Sequence, residues 1–266
     1  MGISMKDDAC YRCGSTDFNV VLHFDDKVSI VKCRACHLAR THPYPQFNFE
    51  SQEKYSSFYV GNESLFRRFA RSMMDAMRPY KSSGAFLDIG CAVGYLLDEA
   101  RVSGFTETTG IELNKAAAEV AAGKGHYIYT DPLEGLSIGS ERFDLISFNH
   151  VIEHILEFKP FLKKVKELLK PNGIVYCGAP NYDSFMRRLL GKDWYGWGMP
   201  DHVWHFDVGT LKSVMAENGF AAKEVMQNSL NYTYSRSLRK NTRVTLARIA
   251  DRFGAGDQVY GIFVKA

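Results

Sequence analysis

Residues 86–100 read FLDIGCAVGYLLDEA, and this stretch decides the fold. Its apolar start contains one charged residue, Asp88, and is broken by Gly90 and Gly94, after which the leucines follow a helical pattern. An apolar run, a glycine turn and an amphipathic helix together predict the opening strand–turn–helix unit of a doubly wound α/β sheet. Glycines let a backbone approach a ligand closely, and a helix N-terminus presents free N–H groups. We therefore expect a ligand at this turn.

The turn differs from two common nucleotide-binding loops. Ala92 stands where the G-x-G-x-x-G pattern has its second glycine, and no Lys-Ser/Thr pair follows the loop as a P-loop requires. The carboxylate of Asp88 would also repel a pyrophosphate group. A carboxylate before the turn suits a cationic ligand better, for example one that carries an amino-acid ammonium group.

Composition and charge exclude several classes of protein. With 266 residues, 45% hydrophobic and 24% charged, the chain can form one large domain and a small one. The net charge of +3 is small for a protein that coats nucleic acid. No apolar run reaches the roughly 18 residues of a membrane span, and the polar N-terminus lacks the apolar region of a secretory signal. We expect a cytoplasmic protein without a membrane span, and the oligomeric state stays open.

Four of the six cysteines form two C-x-x-C pairs: Cys10, Cys13, Cys33 and Cys36. Two such pairs can complete a tetrahedral four-sulfur zinc site. The alternating residues between them, 18–22 and 28–31, predict a hairpin that carries both pairs. A closed four-sulfur site has no open position, so the zinc ion is expected to be structural. Redox-active dithiols are the alternative interpretation.

Two aromatic segments are candidates for a substrate pocket. Residues 41–61 contain Tyr44, Tyr55, Phe58 and Tyr59, which either line a pocket or join the small domain to the large one. Residues 193–206, DWYGWGMPDHVWHF, contain all three tryptophans of the chain together with His202 and His205. A segment this aromatic is costly to expose, so we expect it to cover a pocket or a domain contact.

Polar residues follow the later predicted strands at their carboxyl ends. Glu112 ends the second strand of the sheet, where an acidic residue accepts hydrogen bonds from both ribose hydroxyls of a nucleoside. Asp131 follows the third strand and either accepts from an adenine amine or caps a turn. Asn149 and His150 end the fourth strand, at the edge where open α/β sheets bind ligands.

The remaining periodicity completes an alternation of strands and helices. Strands are predicted at 174–178, 222–227 and 258–264, and helices at 65–77, 161–169, 211–218 and 234–249. The last of these helices is basic, which is typical of a solvated face but would also suit an anionic substrate. Glu153 and His154 fall just after the fourth strand, as either a catalytic or a structural pair.

With these motifs in this order, the chain resembles class I S-adenosylmethionine-dependent methyltransferases. The motifs are LDIGCAVG (87–94), GIEL (110–113), FDLISFNHVIEHI (143–155) and LLKPNGIVYCGAPN (168–181). The resemblance spans roughly residues 86–266. It implies an α/β fold with a Rossmann-like, seven-stranded, mostly parallel sheet. We expect a zinc-ribbon module at 1–42, an aromatic linker and helix packed on the core at 43–80, and the cofactor-binding domain at 81–266.

Residues 200–220, PDHVWHFDVGTLKSVMAENGF, resemble a segment of a bacterial subgroup in which a cysteine-rich zinc module often precedes the methyltransferase domain. Many members of that subgroup act in sugar, polysaccharide or natural-product pathways. The resemblance implies methyl transfer to a small-molecule acceptor, such as a sugar or secondary-metabolite intermediate. An RNA methyltransferase that uses its zinc module on RNA is the alternative, but the small net charge and the absence of an N/D-P-P-Y/F motif argue against it. A catalytically inactive scaffold is the third hypothesis.

The resemblance also assigns site residues. Those expected to hold S-adenosylmethionine are Asp88, Gly90, Cys91, Gly94, Glu112, Leu113, Asp131, Asn149 and His150. Ala92 departs from the glycine pattern of the family, which is a small change. The candidates for a general base are, in order, His202, His150 and His205, and a structural role is the alternative for each.

Overall fold

The computed structural model describes residues 8–45, 54–199, 201–229 and 238–266. Parts of four expectations lie outside these ranges: residues 1–7 of the zinc-ribbon module, residues 46–53 of the first aromatic segment, Pro200 of the second, and residues 234–237 of the basic helix. The strands are β1 (Phe18–His23), β2 (Ser29–Cys33), β3 (Ala39–His42), β4 (Gly84–Ile89), β5 (Phe105–Ile111), β6 (Tyr127–Tyr129), β7 (Phe143–Asn149), β8 (Leu169–Pro180), β9 (Trp204–His205), β10 (Phe220–Asn228) and β11 (Gln258–Lys265). The α-helices are α1 (Tyr55–Gly61), α2 (Glu63–Met77), α3 (Tyr95–Val102), α4 (Lys115–Gly123), α5 (Phe158–Leu168), α6 (Phe185–Leu190), α7 (Val208–Glu217) and α8 (Leu238–Arg252).

The main sheet has seven strands in the order β10-β11-β8-β7-β4-β5-β6. The five strands from β8 to β6 are parallel. Strand β11 is antiparallel to β8, and β10, which is antiparallel to β11, runs in the same direction as β8. The expected Rossmann-like, seven-stranded, mostly parallel sheet is therefore confirmed. The chain runs outward from β4 through β5 and β6 and then returns to place β7 on the other side of β4. This reversal puts a ligand-binding crevice at the carboxyl ends of β4 and β7.

The opening stretch forms β4, the loop and α3, as its sequence predicts. Phe86, Leu87 and Ile89 are all buried, because helices cover both faces of a parallel sheet. Gly90 has φ 74°, and a Cβ atom there would lie 2.6 Å from a methyl group of Val151. Ala92 has φ 47°, so the alanine adopts the left-handed conformation that glycine usually supplies.

A second, smaller sheet has the order β1-β2-β3-β9 and is antiparallel throughout. Strands β1 and β2 form the hairpin predicted between the cysteine pairs. The fourth strand, β9, comes from the distant tryptophan-rich segment. The sequence patterns did not predict a strand there. This pairing joins the N-terminal module to the wall of the main domain.

Helix α2 packs on the main domain through its buried face. Ala70, Met74 and Met77 are buried against Phe86 and neighbouring core residues. None of the described helices is long and apolar enough to cross a membrane.

Element boundaries differ from the predicted ones by a few residues. Leu169 was assigned to a helix by its periodicity, but it begins β8 because it pairs with Phe143 of β7. Within the described residues the basic helix spans Leu238–Arg252, so it ends three residues beyond its predicted end at 249. The boundary at Leu169 differs because strand pairing, which the local sequence pattern does not contain, decides where β8 begins.

Candidate active site

A cavity of about 460 Å³ opens at the carboxyl ends of β4 and β7. Among the predicted cofactor residues, those that line it are Asp88, Gly90, Cys91, Asn149 and His150. The candidate base His202 also lines the cavity, from the tryptophan-rich segment. The order of the main sheet brings together the residues that follow β4 and β7, because these strands are neighbours in the sheet although they are distant in sequence.

Asp88 lies at the end of β4, where it is 5% exposed and accepts a hydrogen bond of 2.5 Å from the Ser147 hydroxyl. Burial raises the pKa of Asp88 to about 7; the Ser147 hydrogen bond lowers it, and the charge of Glu112 adds to the increase. A positively charged ligand beside Asp88 would favour its charged form. The residue therefore suits the ammonium group of an amino-acid ligand.

Glu112 directly follows β5 and binds backbone amides. Its two carboxylate oxygens accept hydrogen bonds from the N–H groups of Ala92 (2.9 Å) and Asn114 (2.7 Å). Burial raises the pKa of Glu112, although these amides lower it. Of the predicted cofactor residues, Gly94, Glu112, Leu113 and Asp131 are not among those that line the cavity, and Asp131 is exposed. The structure thus gives Glu112 a visible role in holding the glycine loop.

Helix α1 lies near the carboxyl end of β5. Burial raises the pKa of both Tyr55 and Tyr59, and the charge of Glu112 adds to the increase in each. The Tyr59 hydroxyl also experiences the charge of Asp88. Helix α1 therefore covers the region where the resemblance expects the ribose of the cofactor.

His150 is held between two side chains at the cavity. Its Nδ1 lies 3.0 Å from Oε1 of Glu153, and its Nε2 lies 2.6 Å from the amide nitrogen of Gln258. Because a charged carboxylate can only accept, Nδ1 carries the proton, and the Gln258 amide donates to Nε2. His150 has φ 55° and its side chain is 29% exposed. The lone pair of Nε2 therefore faces Gln258, which also lines the cavity.

Glu153 is fully buried behind this histidine. Burial alone would raise the pKa of Glu153, but the hydrogen bond from His150 and the nearby imidazoles lower it to about 2. Ligand-type atoms of Glu153, His154 and His202 all lie within 4.8 Å of one another. Among the described residues, Oε2 of Glu153 has no hydrogen-bond partner. A charged carboxylate is thus present behind the cavity wall.

His202 is oriented by the backbone of its own segment. Its Nδ1 lies 2.9 Å from the carbonyl oxygen of Gly196, so this nitrogen donates and Nε2 is the acceptor. Burial lowers the pKa of His202 to about 4, while the charge of Glu153 acts in the opposite direction. The imidazole is therefore neutral at neutral pH.

Comparison with known proteins identifies the family of this chain. The profile of a family described as "Methyltransferase domain" matches residues 62–225, more than half of the sequence. The chain belongs to the S-adenosylmethionine-dependent methyltransferases. Its cavity occupies the crevice that the topology of this fold offers to a ligand.

Curated relatives of this methyltransferase carry one recurring name. The ubiquinone biosynthesis O-methyltransferase of Parvibaculum lavamentivorans is 30% identical over 191 residues, which cover 66% of this chain and 74% of that protein. The protein of the same name from Cereibacter sphaeroides is 33% identical over 129 residues, covering 44% and 51%. The chain thus spans about half the length of several of these relatives.

Solved structures share the fold of this methyltransferase. A methyltransferase from Archaeoglobus fulgidus superimposes with a TM-score of 0.59 at 20% identity, covering 79% of this chain and 99% of the other. A possible histamine N-methyltransferase from Thermotoga maritima gives a TM-score of 0.60 at 22% identity, covering 80% and 98%. At these identities the likeness shows the fold alone.

The structure places His205, the third candidate base, away from the cavity of the methyltransferase. Its Nε2 lies 3.1 Å from the Thr41 hydroxyl, and its ring packs against Trp197 at 5.3 Å between centroids. Burial lowers the pKa of His205 to about 3. Its sequence position beside His202 did not reveal that β9 turns it toward the N-terminal module.

Several cavity residues were missed by sequence reasoning. They are Phe66, Phe69 and Met73 of α2, Tyr176 of β8, and Gln258 and Tyr260 of β11. The helical spacing of the α2 residues was visible, but it was interpreted as a core face. Gln258 and Tyr260 had no local signal, because they reach the site only through the antiparallel insertion of β11 beside β8.

The first aromatic segment both lines the cavity and joins the small domain to the large one, the two roles that the sequence left open. Phe58 and Tyr59 line the cavity. Tyr44 instead packs on Trp204, with ring centroids 5.7 Å apart. One part of the segment therefore faces the site and another joins the N-terminal module to the main domain.

The two cysteine pairs converge at one point. All four sulfur atoms lie within 4.8 Å of one another, with Cys10 and Cys36 at 3.5 Å and Cys13 and Cys33 at 3.6 Å. The Cys36 thiol hydrogen bond lowers the pKa of Cys10 to about 5, against the effect of burial. Two pairs of thiols at this separation fit a tetrahedral zinc ion, whose Zn–S bonds are about 2.3 Å.

Proposed function

We propose that this methyltransferase transfers the methyl group of S-adenosylmethionine to a hydroxyl group of a small, largely apolar acceptor. The observation that carries this proposal is the His150–Glu153 pair, which presents a buried, charged carboxylate behind an imidazole at the cavity. The O-methyltransferase names of the curated relatives support it.

On this proposal the cofactor occupies the part of the cavity beside the glycine loop. Asp88 would hold its ammonium group, and the backbone around Gly90 and Cys91 would lie along its methionine part. When bound, the cofactor supplies a methyl group on a positively charged sulfur. Asn149 and His150 would border that end, while Glu112, Leu113 and Asp131 are proposed to hold the nucleoside.

His150 is the proposed general base. An acceptor hydroxyl that displaces the Gln258 amide would donate its hydrogen bond to Nε2 of His150, and Nε2 would take the proton as the oxygen attacks the methyl group. Glu153 would hold the tautomer through Nδ1 and stabilise the imidazolium that forms. His202, which remains neutral at neutral pH, is proposed to orient the acceptor hydroxyl.

The wall of the cavity favours an aromatic secondary-metabolite intermediate as acceptor. Phe58, Phe66, Phe69 and Met73 present apolar surface, and Tyr176 and Tyr260 add aromatic rings. Such a wall gains free energy when it buries an apolar ring. A sugar is the second candidate, because aromatic faces and the polar groups of Asn149 and Gln258 also suit hydroxyl-rich rings.

The four cysteines are proposed to bind a structural zinc ion. The proposed organisation remains a zinc-ribbon module at 1–42, a linker and helix at 43–80, and the methyltransferase domain at 81–266. An RNA acceptor, with the zinc module as the RNA-binding part, is less well supported because the net charge is only +3.

The proposal is tested by presenting S-adenosylmethionine and panels of phenols, catechols, sugars and total RNA to the purified protein. Release of S-adenosylhomocysteine that depends on a phenolic or catecholic acceptor, and is lost in the His150→Gln variant, is the expected result. Turnover with RNA alone would replace the small-molecule proposal.

A further inference from the structure

The N-terminal module is part of the same sheet as the tryptophan segment, which we define as residues 194–206. Ala39 of β3 pairs with His205, and Arg40 pairs with Trp204. The N–H group of Thr41 donates to the carbonyl oxygen of Val203 at 2.9 Å. The cavity residues Tyr195 and His202 belong to this segment. A strand of the module therefore holds the chain on which part of the cavity wall is built.

Thr41 fixes the segment with its side chain as well. This residue is 1% exposed, and its hydroxyl donates to the carbonyl oxygen of His202 at 2.6 Å. The hydroxyl oxygen of Thr41 also lies 3.1 Å from Nε2 of His205, whose N–H can donate to it. One buried hydroxyl thus positions the backbone of a cavity histidine and the ring of its neighbour.

Both cysteine turns lead directly into these contacts. Tyr11, inside the first pair, packs its ring at 5.9 Å from Trp204 and at 5.0 Å from Phe158 of α5. After the second pair, the chain passes through Leu38, whose carbonyl oxygen accepts from the Cys33 N–H at 3.0 Å, and enters β3. The geometry of the four sulfurs is therefore transmitted over a few residues to the tryptophan segment.

We infer that the zinc module is a positioning element of the active site: its metal-held turns fix β3, and β3 fixes the tryptophan segment that carries His202 to the cavity. This inference rests on the proposed function and on the proposed zinc ion. Asp88 and Gly90, in contrast, belong to β4 and its loop, which the main sheet holds. Loss of zinc is thus expected to loosen the acceptor side of the cavity and to spare the cofactor side.

The three tryptophans of the chain provide a fluorescence probe for this inference. All three tryptophans lie in the segment, and Trp194, Trp197 and Trp204 are 2%, 3% and 1% exposed. Tryptophan fluorescence therefore reports on this segment alone. After zinc is removed by a chelator, with zinc release measured colorimetrically, we expect red-shifted emission and stronger quenching by acrylamide. The affinity for S-adenosylhomocysteine is expected to change by less than about twofold.

Two outcomes of the chelation experiment would overturn the inference. One is release of zinc with unchanged emission and quenching. The other is simultaneous loss of S-adenosylhomocysteine binding, which would show that the metal supports the whole fold. Re-addition of zinc alone is expected to restore the emission. Neither readout uses an acceptor, so failure to find a methylated small molecule would contradict the proposed function without touching this inference.

Thr41 provides a variant that keeps the zinc ligands. Thr41→Val preserves the shape but removes the hydroxyl, and it is expected to retain one zinc ion per chain while acrylamide quenching increases. Thr41→Ser restores the hydroxyl and is expected to restore the low quenching. Ser29→Ala, which removes a hydroxyl of β2 that contacts His23, is the matched control in the same module. The inference fails if Thr41→Val behaves like Ser29→Ala, or if Thr41→Ser does not recover.

With an active acceptor in hand, the same variants separate positioning from simple destabilisation. Thr41→Val is expected to raise the KM for the acceptor by about tenfold or more, with the KM for S-adenosylmethionine unchanged. Equal effects on both KM values would contradict a role confined to the acceptor side.

Discussion

At the scale of single residues, the proposed contact of Asp88 with the cofactor predicts that cofactor binding depends on pH. Burial holds its pKa at about 7, despite the Ser147 hydrogen bond, and Glu112 adds to the increase. A cationic ammonium group binds the charged form, which is the minor form below pH 7. We expect the affinity for S-adenosylhomocysteine to increase about tenfold between pH 6 and pH 8 and then to level off. Titration calorimetry at several pH values measures this dependence.

Asp88→Asn is the control for this dependence, because the amide cannot ionise. The variant is expected to bind S-adenosylhomocysteine weakly and with an affinity that is flat between pH 6 and 8. A wild-type affinity that does not change over this range, or that decreases as the pH rises, would show that Asp88 does not bind the ammonium group in its charged form.

The second prediction at this scale concerns proton transfer by His150. His150→Gln retains a polar side chain but no base, and we expect kcat to fall about 10²- to 10⁴-fold, with cofactor affinity nearly unchanged. Glu153→Gln can still accept from Nδ1 but carries no charge, so a smaller loss is expected. His23→Gln changes an exposed histidine of β1 and serves as the control.

The kcat and KM of the two histidine variants distinguish His150 from His202 as the general base. If His202 is the base, His202→Gln will lower kcat about 10²- to 10⁴-fold. His150→Gln will then act mainly on KM. The proposed role of His150 as the base rests on its contact with Glu153. This outcome would reverse the roles of the two histidines.

At the scale of elements, α2 supplies an apolar wall to the cavity, on the side proposed to take the acceptor. Phe69 is half-buried and lines the cavity, whereas Arg68 points from the same helix toward solvent. Burial of a phenylalanine ring against a ligand contributes about 1.5–3 kcal/mol, so Phe69→Ala is expected to raise the KM for the acceptor about 10- to 100-fold. Steady-state kinetics with Arg68→Ala as the control test this expectation. An unchanged KM would remove α2 from the acceptor site.

The sequence predicted those elements whose signals are local. The strand, turn and helix of residues 86–100 were readable because apolar periodicity and the glycines lie within one short stretch. The clustering of the four cysteines was predictable for the same reason, because each C-x-x-C pair is a local motif. The pairing of β3 with β9 was not readable, because it joins residues far apart in sequence and β9 has only two residues.

The cavity residues at the ends of β4 and β7 were predictable from the sequence, whereas those of β11 were not. Asp88, Asn149 and His150 stand at the ends of parallel strands, and topology rules place such ends at one edge of a sheet. Gln258 and Tyr260 reach the same cavity from an antiparallel strand near the end of the chain. Their side chains are ordinary for a strand, so only the register of β11 against β8 reveals them.

At the scale of the whole molecule, the charge of the chain limits its partners. A net charge of +3 and a sequence pI of about 8.4 give little electrostatic attraction for nucleic acid. We expect filter binding to total RNA to be weak at 50–200 mM salt, as judged against a known RNA-binding protein. Tight binding with a steep dependence on salt concentration would instead favour the RNA alternative.

The central claim, methyl transfer to a small apolar hydroxyl compound, is tested most directly by following the methyl group itself. Purified protein and S-adenosylmethionine with a labelled methyl group are incubated with an extract separated into small molecules, RNA and protein. We expect the label in organic-soluble small molecules, as an O-methyl group identified by mass spectrometry, and we expect His150→Gln to abolish most of it. Label that accumulates in RNA or protein would contradict the claim.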